Sequence, residues 1–391
     1  MLKNKISIIG GAGHIGLPLS IKFSEKKFIV NIIDVNSKNL DLIQKCKPPF
    51  KEIGLKKKLS QQLKTGRISF SKDLSSIRDS KNIILCIGTP INKNFKPDLK
   101  NFNQVIKQIK NHIKESQSLI VRSSVMAGTN NKIYNILKRK CSNLAYCPER
   151  IVEGKSFEEL PKIPQIISAS NKKTIQQTVK LFKNITNKII VCDFIQAELS
   201  KVFSNLYRYI NFAIPNEMYL ISKKFGVDFS KIREIMIKDY PRNKGLAKAG
   251  FVGGPCLMKD SMQMSYLYGI KKSLVNSAYN INQNLPNEII RQIKQLKIKN
   301  KKVGVLGLTF KPDSDDLRGS LSASLLKKLK KNNFNCYFSD PYVKLNLNLK
   351  TNELIKKCNV IVIGSNHKQY KKLKIKKSKT IIDLSGLLKK L

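Results

Sequence analysis

The sequence predicts an α/β protein in which two doubly wound parallel sheets are joined by a central helical region. Three observations predict it. The opening run "KISIIGGAGHIGLPLSIKF" passes from an apolar strand through a glycine turn into a helix-period segment, and strand-like and helix-like stretches alternate from there to about residue 195. Over 196–300 the pattern is helical, broken by one glycine-rich loop. From 301, "KKVGVLGLTFKPDSDDLRGS" begins a second strand, glycine turn and helix. The domains therefore read as 1–195, 196–300 and 301–391.

Gly11, Gly13 and Gly16 form GxGxxG around His14 and Ile15, directly after a strand and at the start of a helix. "FIVNIIDVN" then supplies a second buried strand ending in Asp34. A strand, glycine turn, helix and second strand with a terminal acid about 20 residues on make the Rossmann-like dinucleotide fingerprint. The glycines let a pyrophosphate reach the helix N-terminus, while Asp34 suits the ribose hydroxyls and disfavours a 2′-phosphate, so the expected cofactor is NAD rather than NADP.

Further strands are predicted at "NIILCIGTP" (82–90), "SLIVRSSV" (118–125) and "NLAYCPER" (143–150). Gly88, Thr89, Pro90, Ser123, Ser124 and Glu149 lie at their carboxyl ends, where a doubly wound sheet places its ligands. "QAELSKVFSNLYRYINFAIPNEMYLISKKFG" reads as one long helix with Pro215 as a point for a kink and Gly226 as its stop. Lys201 and Asn205, four apart, share a face of it. In "GFVGGPCLMKD" (250–260), three glycines within five positions predict a tight wrap around something, and they surround Cys256, Lys259 and Asp260. "NCYFSDP", "NVIVIGS" and "TIIDLSG" supply the later strands of the second sheet.

Composition narrows the function classes. With 391 residues, 41% of them hydrophobic, the chain can bury more than one core, and it shows no apolar stretch near 18 residues, so no membrane partner is expected. The N-terminus enters a strand within five residues, so no signal peptide is expected. The net charge of +48, from 74 Lys+Arg against 26 Asp+Glu, is spread from end to end and carried mainly by Lys among abundant Asn and Ile. That pattern argues against specific nucleic-acid binding, while non-specific attraction to polyanions and to an anionic substrate is expected. Eight cysteines without a CxxC, beside only three histidines, predict neither a metal site nor a disulfide framework, and fit a reducing cytoplasm.

The order GAGHIGLP, Asp34, IGTP, SSVMAGT, CPERIVEG, AELSKVFSN, PNE, GFVGGPCLMKD, GLTFKPDSDDLR resembles the UDP-glucose/GDP-mannose dehydrogenase family over essentially the whole chain. The resemblance implies oxidation of a nucleotide sugar's C6 alcohol to a carboxylate in two steps with two NAD. The first domain would hold NAD, the last the substrate's nucleotide, and the helical middle a homodimer or higher homo-oligomer. UDP-glucose is the first expectation for the substrate. "PERIVEGKSFEEL" also echoes relatives that oxidise UDP-N-acetylhexosamines, and GDP-mannose is a further alternative.

An oxidation that continues to the acid can trap the aldehyde on sulfur, and Cys256 is placed for that covalent step. Lys201 and Asn205 could stabilise the oxyanion, where one well-aimed donor is worth roughly 3 kcal/mol. By resemblance Asp260 holds a water with Lys201, Glu149 is an acid/base, and Glu153 contacts cofactor or substrate. The resemblance also places Lys311, Phe251 and Gly253 at the substrate, Arg318 at the cofactor, and Arg242 at a neighbouring subunit's substrate. Several positions depart from the family pattern. His14 stands where Tyr is usual and is expected to stack. Ser124 replaces Thr, Pro255 and Met258 alter the cysteine loop, and "IIDLSGLL" lacks an arginine often found after its Asp. Two other readings compete. A one-step hydroxyacid-type dehydrogenase would form one NADH per turnover without needing Cys256, and a nucleotide- or nucleic-acid-binding module would show no turnover.

Overall fold

The computed structural model describes residues 2–388 except 93, 268 and 270–272. The described chain divides into two compact units, 1–203 and 204–391.

The first unit contains β1 (Leu2–Ile9), α1 (Gly16–Glu25), β2 (Ile29–Ile33), α2 (Ser37–Gln44), α3 (Leu55–Leu63), β3 (Ile68–Ser71) and β4 (Ser80–Leu85). It continues through α4 (Lys100–His112), β5 (Ser118–Val121), α5 (Thr129–Leu137), β6 (Leu144–Tyr146), α6 (Ser156–Glu159), β7 (Gln165–Ala169), α7 (Lys172–Phe182) and β8 (Ile189–Val191). Among the described residues these strands form an eight-stranded sheet in the order β3-β2-β1-β4-β5-β6-β7-β8. All neighbours pair in parallel except β6 and β7, which are antiparallel. The reversal of strand order between β1 and β4 is the switch point at which such sheets bind ligands. Apolar residues cover both faces, with Ile8, Ile32 and Ile84 in one core and Ile9, Leu85 and Val121 in the other. That two-sided burial explains why these strands read as continuous apolar runs.

The helix α8 (Phe194–Lys224) carries the boundary between the units. It runs through Pro215 and ends at Gly226 (φ +70°), where the Val227 amide bonds back to the Ser222 carbonyl at 3.1 Å. Only a residue tolerant of the left-handed region closes a helix in this way, and Gly226 meets the expectation. The second unit continues with α9 (Phe229–Ile237), α10 (Leu257–Leu267), α11 (Leu274–Gln295), β9 (Lys302–Leu306), α12 (Leu321–Lys331), β10 (Asn335–Ser339), α13 (Thr351–Lys357), β11 (Val360–Ile363) and β12 (Thr380–Ile382). Its sheet is parallel throughout, in the order β10-β9-β11-β12. Tyr219 of α8 and Leu285, Ile289 and Ile293 of α11 share one core with Val303, Val305 and Val362 of this sheet. The helical middle thus buries its apolar stripe on the C-terminal sheet.

The fold agrees with the predicted class, and the differences have simple causes. The strands predicted at 82–90, 118–125 and 143–150 stop early, at Leu85, Val121 and Tyr146, where the chain leaves the sheet and its polar residues begin. β3, β7 and β8 were not expected. They are three to five residues long and lie on the flanks of the sheet, too short for a periodic signal.

Candidate active site

In the first unit, the glycine turn joins β1 to α1. A Cβ on Gly16 would lie 2.4 Å from the Gly10 carbonyl oxygen, and one on Gly11 would lie 2.7 Å from that of Ile8. These two glycines serve packing of the turn against itself, whereas Gly13 meets only one atom, at 3.5 Å. The α1 N-cap is Ile15, whose side chain offers no capping oxygen, and the first turn holds no acid. An uncapped helix N-terminus beside open glycine backbone fits a dinucleotide pyrophosphate. Asp34, just past β2, accepts the Ala12 amide at 3.0 Å and the Asn36 amide at 2.9 Å, which fixes its carboxylate beside the turn. The His14 ring stacks on Phe50 with centroids 4.0 Å apart.

The loops after β4 and β5 are tied together. Thr89 Oγ1 donates to the Ser124 carbonyl at 2.6 Å, and the Ser123 amide donates to that of Leu85 at 3.2 Å. Gly88 and Pro90 are exposed on either side of Thr89. Glu149 is buried, and both its oxygens are engaged. Oε1 accepts the Arg150 and Ile151 amides at 2.8 and 3.0 Å, and Oε2 pairs with the guanidinium of Arg122. Arg122, 2% exposed, also donates to Gln165 at 2.9 Å and lies over the Phe182 ring. Burial works against its charge, and Glu149 more than restores it. A neutral Glu149→Gln would leave this guanidinium buried without its counter-charge. We expect a stability loss of about 3–5 kcal/mol, read by denaturant unfolding; an unchanged midpoint would contradict the pairing.

Sequence reasoning missed two carboxylates in this unit. Glu198, on α8 one turn before Lys201, accepts the Gly128 and Asn130 amides at 2.6 and 2.8 Å and so caps α5. Burial pushes its carboxyl up, and those amides offset only part of the rise. Glu52 accepts the Gly154 and Ser156 amides, both at 2.8 Å, and holds the loop that carries Glu153. The signal in each case is an acid at a helix or loop start distant in sequence, which no local pattern reveals.

In the second unit, the wrap predicted for the glycine loop is real, and its object is another segment of the chain. Gly254 lies at φ +102°, and a Cβ on it would sit 2.6 Å from the Phe310 ring. A Cβ on Gly253 would meet the Gly319 carbonyl at 2.5 Å. The Gly254 amide donates to that same carbonyl at 3.2 Å. Gly254→Ala combines backbone strain with a clash and should cost about 1–3 kcal/mol, measured as a lower Tm; a variant as stable as the parent would contradict this packing. At the loop's start, the Gly250 amide donates to buried Asn216 at 2.8 Å, and Asn216 in turn donates to Asn282 at 2.8 Å. Half-buried Phe251 packs on the core beneath the sheet.

Cys256 precedes α10, and its carbonyl accepts the Asp260 amide at 2.9 Å, so it occupies the helix N-cap with its side chain exposed. Asp260 is 1% exposed. Asn205 Nδ2 donates to its Oδ2 at 2.6 Å, and Lys259 Nζ lies 2.7 Å from its Oδ1. Lys201 stands one turn before Asn205 on α8. Lys311 Nζ lies 5.3 Å from the Phe310 ring centroid, on the segment that Gly253 and Gly254 touch. Arg318 is bonded to Asp316 at 2.6–3.0 Å, and exposed Arg242 to the Tyr240 hydroxyl at 2.7 Å. None of the eight cysteines is in a disulfide. Burial pushes the Cys147 thiol up to about 12, with the charge of Arg122 opposing. Iodoacetamide at pH 8 should therefore modify Cys256 and spare Cys147, as read by peptide mass; equal rates would contradict the assignment.

Among the described residues, no helix is long and apolar enough to cross a membrane. The chain is similar to the UDP-N-acetyl-D-mannosamine dehydrogenase of Methanococcus maripaludis (strain S2 / LL), 29% identical over 384 residues, covering 95% of this chain and 88% of the relative. It is similar to the GDP-mannose 6-dehydrogenase of Pseudomonas syringae pv. syringae, 26% identical over 425 residues, with 98% and 96% covered. It also superposes on the UDP-D-ManNAc dehydrogenase structure from Pyrococcus horikoshii with a TM-score of 0.90 at 25% identity, covering 99% and 96% of the two chains. Models of the family's NAD binding domain, central domain and UDP binding domain match residues 4–186, 195–284 and 304–390 in that order, and the chain belongs to the UDP-glucose/GDP-mannose dehydrogenase family.

Proposed function

We propose that the protein oxidises the C6 alcohol of a UDP-N-acetylhexosamine to the uronate, ahead of UDP-glucose or GDP-mannose, through a covalent intermediate on Cys256. The substrate preference rests on the relatives named UDP-N-acetyl-D-mannosamine dehydrogenases, which match 84–98% of this chain. The chemistry rests on one observation: an exposed cysteine at a helix N-terminus four residues before a buried aspartate that Asn205 and Lys259 hold in place.

The glycine turn, Asp34 and the tied loops at Thr89 and Ser124 are the residues that would hold NAD, with Glu153 and Arg318 as further contacts. Bound NAD supplies the acceptor for an electron pair, twice per sugar carried to the acid. Asp260, with a water shared with Lys201, takes the proton of the C6 hydroxyl as the alcohol becomes an aldehyde. Cys256 Sγ then adds to the aldehyde carbon, and the carbonyl oxygen becomes the oxygen of a thiohemiacetal. One amide hydrogen of Asn205 goes to Asp260, and the other, with Lys201 Nζ, is the donor pair assigned to that oxygen. Loss of a second electron pair and a proton leaves a thioester. Water cleaves its C–S bond, releasing the carboxylate and restoring the thiol. The α10 N-terminus, with its partial positive charge, favours the thiolate required for addition. Glu149, with both oxygens engaged, serves in this scheme to fix the 149–153 loop that carries Glu153. Lys311, Phe251, Gly253 and a partner subunit's copy of Arg242 are assigned to the substrate.

The spacing of exposed Tyr207, Ile214 and Ile221 along α8, with Phe225 just past its end, leaves an apolar stripe that suits a homodimer. The test of function is turnover with NAD and a panel of UDP-N-acetylmannosamine, UDP-N-acetylglucosamine, UDP-glucose and GDP-mannose, identifying the product by mass. The highest kcat/KM on an N-acetylhexosamine, with an acid product, is expected. Preference for UDP-glucose would overturn the substrate assignment, and an aldehyde or keto product would overturn the reaction.

A further inference from the structure

His367 was not singled out in the sequence, yet it is one of the most completely engaged side chains in the second unit. It is 0% exposed, and its ring lies between Tyr342 and Tyr370 with centroids 4.9 and 5.3 Å away. Its Nδ1 accepts the Asp313 amide at 2.8 Å, so the proton belongs on Nε2, which lies 3.1 Å from Asp340 Oδ2. That same carboxylate oxygen accepts the Leu308 amide at 2.7 Å and the Thr309 amide at 3.3 Å. Both nitrogens of one imidazole therefore reach the 307–313 segment: one end directly, the other through Asp340.

Lys311 sits between those two anchors. Thr309 Oγ1 donates to the Lys311 carbonyl at 2.9 Å, and Asp313 is held at φ +56°, a region that non-glycine residues visit at a cost. The segment has no regular secondary structure to fix it. The Gly307 and Phe310 amides bond the Ser339 and Asp316 carbonyls at 2.8 and 3.0 Å, and the buried histidine adds a tie at each end by satisfying one amide and orienting the carboxylate that holds two others.

We propose that His367 is the positioning residue for Lys311: by clamping both ends of the 307–313 segment it sets the lysine's approach to the diphosphate of the nucleotide, and so governs nucleotide affinity without touching the ligand. This rests on the assignment of Lys311 to the substrate made above. Four single variants separate its parts. His367→Asn keeps an acceptor near the Nδ1 position, His367→Gln keeps a donor near the Nε2 position, His367→Phe keeps neither, and Lys311→Ala removes the group being positioned.

UDP alone is the probe, titrated calorimetrically into the full-length protein, with NAD titrated as a control. Lys311→Ala and His367→Phe should each weaken UDP binding by about tenfold, the size expected for loss of one charge-assisted hydrogen bond. His367→Asn and His367→Gln should fall between His367→Phe and the parent, and NAD affinity should stay within about twofold. The double variant Lys311→Ala/His367→Phe should bind UDP within about twofold of either single variant, because the histidine acts through the lysine. Multiplied losses in the double variant, or parent-like UDP affinity in His367→Phe, would overturn the proposal while leaving the role of Lys311 intact. Parent-like UDP affinity in Lys311→Ala would instead sink the assignment of Lys311 on which it stands. If His367→Phe does not fold, the same cycle is run with His367→Asn, whose additive loss would count against the proposal in the same way.

Discussion

Cys256→Ala is expected to abolish uronate formation, the largest effect the site predicts. Cys256 is the one thiol in the 250–260 loop, Lys259 and Asp260 being paired with each other, and without it the aldehyde loses the covalent anchor assigned here. An ordinary thiol with a pKa near 8.5 is only about 3% thiolate at pH 7, so the helix position of Cys256 is part of its reactivity. Loss of a covalent nucleophile costs far more than loss of a contact, and acid production should fall by about 10⁴ or more. The first oxidation does not require sulfur. The variant should therefore still bind NAD and UDP, and at most release aldehyde with one NADH. Product mass and NADH yield measure this together. Cys256→Ala that makes uronate at a tenth of the parent rate would remove the covalent step from the scheme.

Asp260→Asn is expected to show the second largest effect. Asp260 is buried, its Oδ2 held by Asn205 at 2.6 Å and its Oδ1 paired with Lys259 at 2.7 Å. The substitution preserves shape but removes the base and leaves a half-buried lysine without its counter-charge. Positioned proton transfer contributes roughly 10²–10⁴ to a rate, so kcat should fall within that range. NAD affinity should be unchanged, because the fingerprint residues lie in the turn between β1 and α1 and just past β2. A kcat within threefold of the parent would assign the proton to another group.

The parts of the fold legible in the sequence are those whose signal is local. The strand, glycine turn and acid of β1, α1 and β2 lie within the first 34 residues, and each constrains the backbone in a way that only certain residue types permit. The long α8 and its glycine stop were legible for the same reason. The glycine loop was only half legible. Its tightness could be read, but Gly253 and Gly254 close on Phe310 and Gly319, more than 50 residues away, and composition carries no trace of such a partner. The Arg122–Glu149 pair shows a different limit. An arginine in the apolar run "SLIVRSSV" signals a buried charge, yet its partner is 27 positions on and was read as an acid/base from its motif alone. Asn216 and Asn282 were hidden because a chain rich in Asn and Lys makes any single asparagine look like composition, and His367 because its partners Asp313 and Asp340 lie 54 and 27 residues away. Asn216 and His367 accept the Gly250 and Asp313 amides, and Asn282 joins Asn216 to the Tyr209 carbonyl, links across distant segments that only coordinates display.

The central claim is that Cys256 carries the half-oxidised sugar. The most direct test is rapid quench in acid during turnover with NAD and UDP-N-acetylmannosamine, followed by intact and peptide mass measurement. The account predicts a sugar-derived adduct on the peptide containing Cys256, formed and lost at rates compatible with kcat and accompanied by two NADH per sugar. Steady production of acid with two NADH per sugar, no adduct at any time point, and undiminished turnover in Cys256→Ala would contradict it.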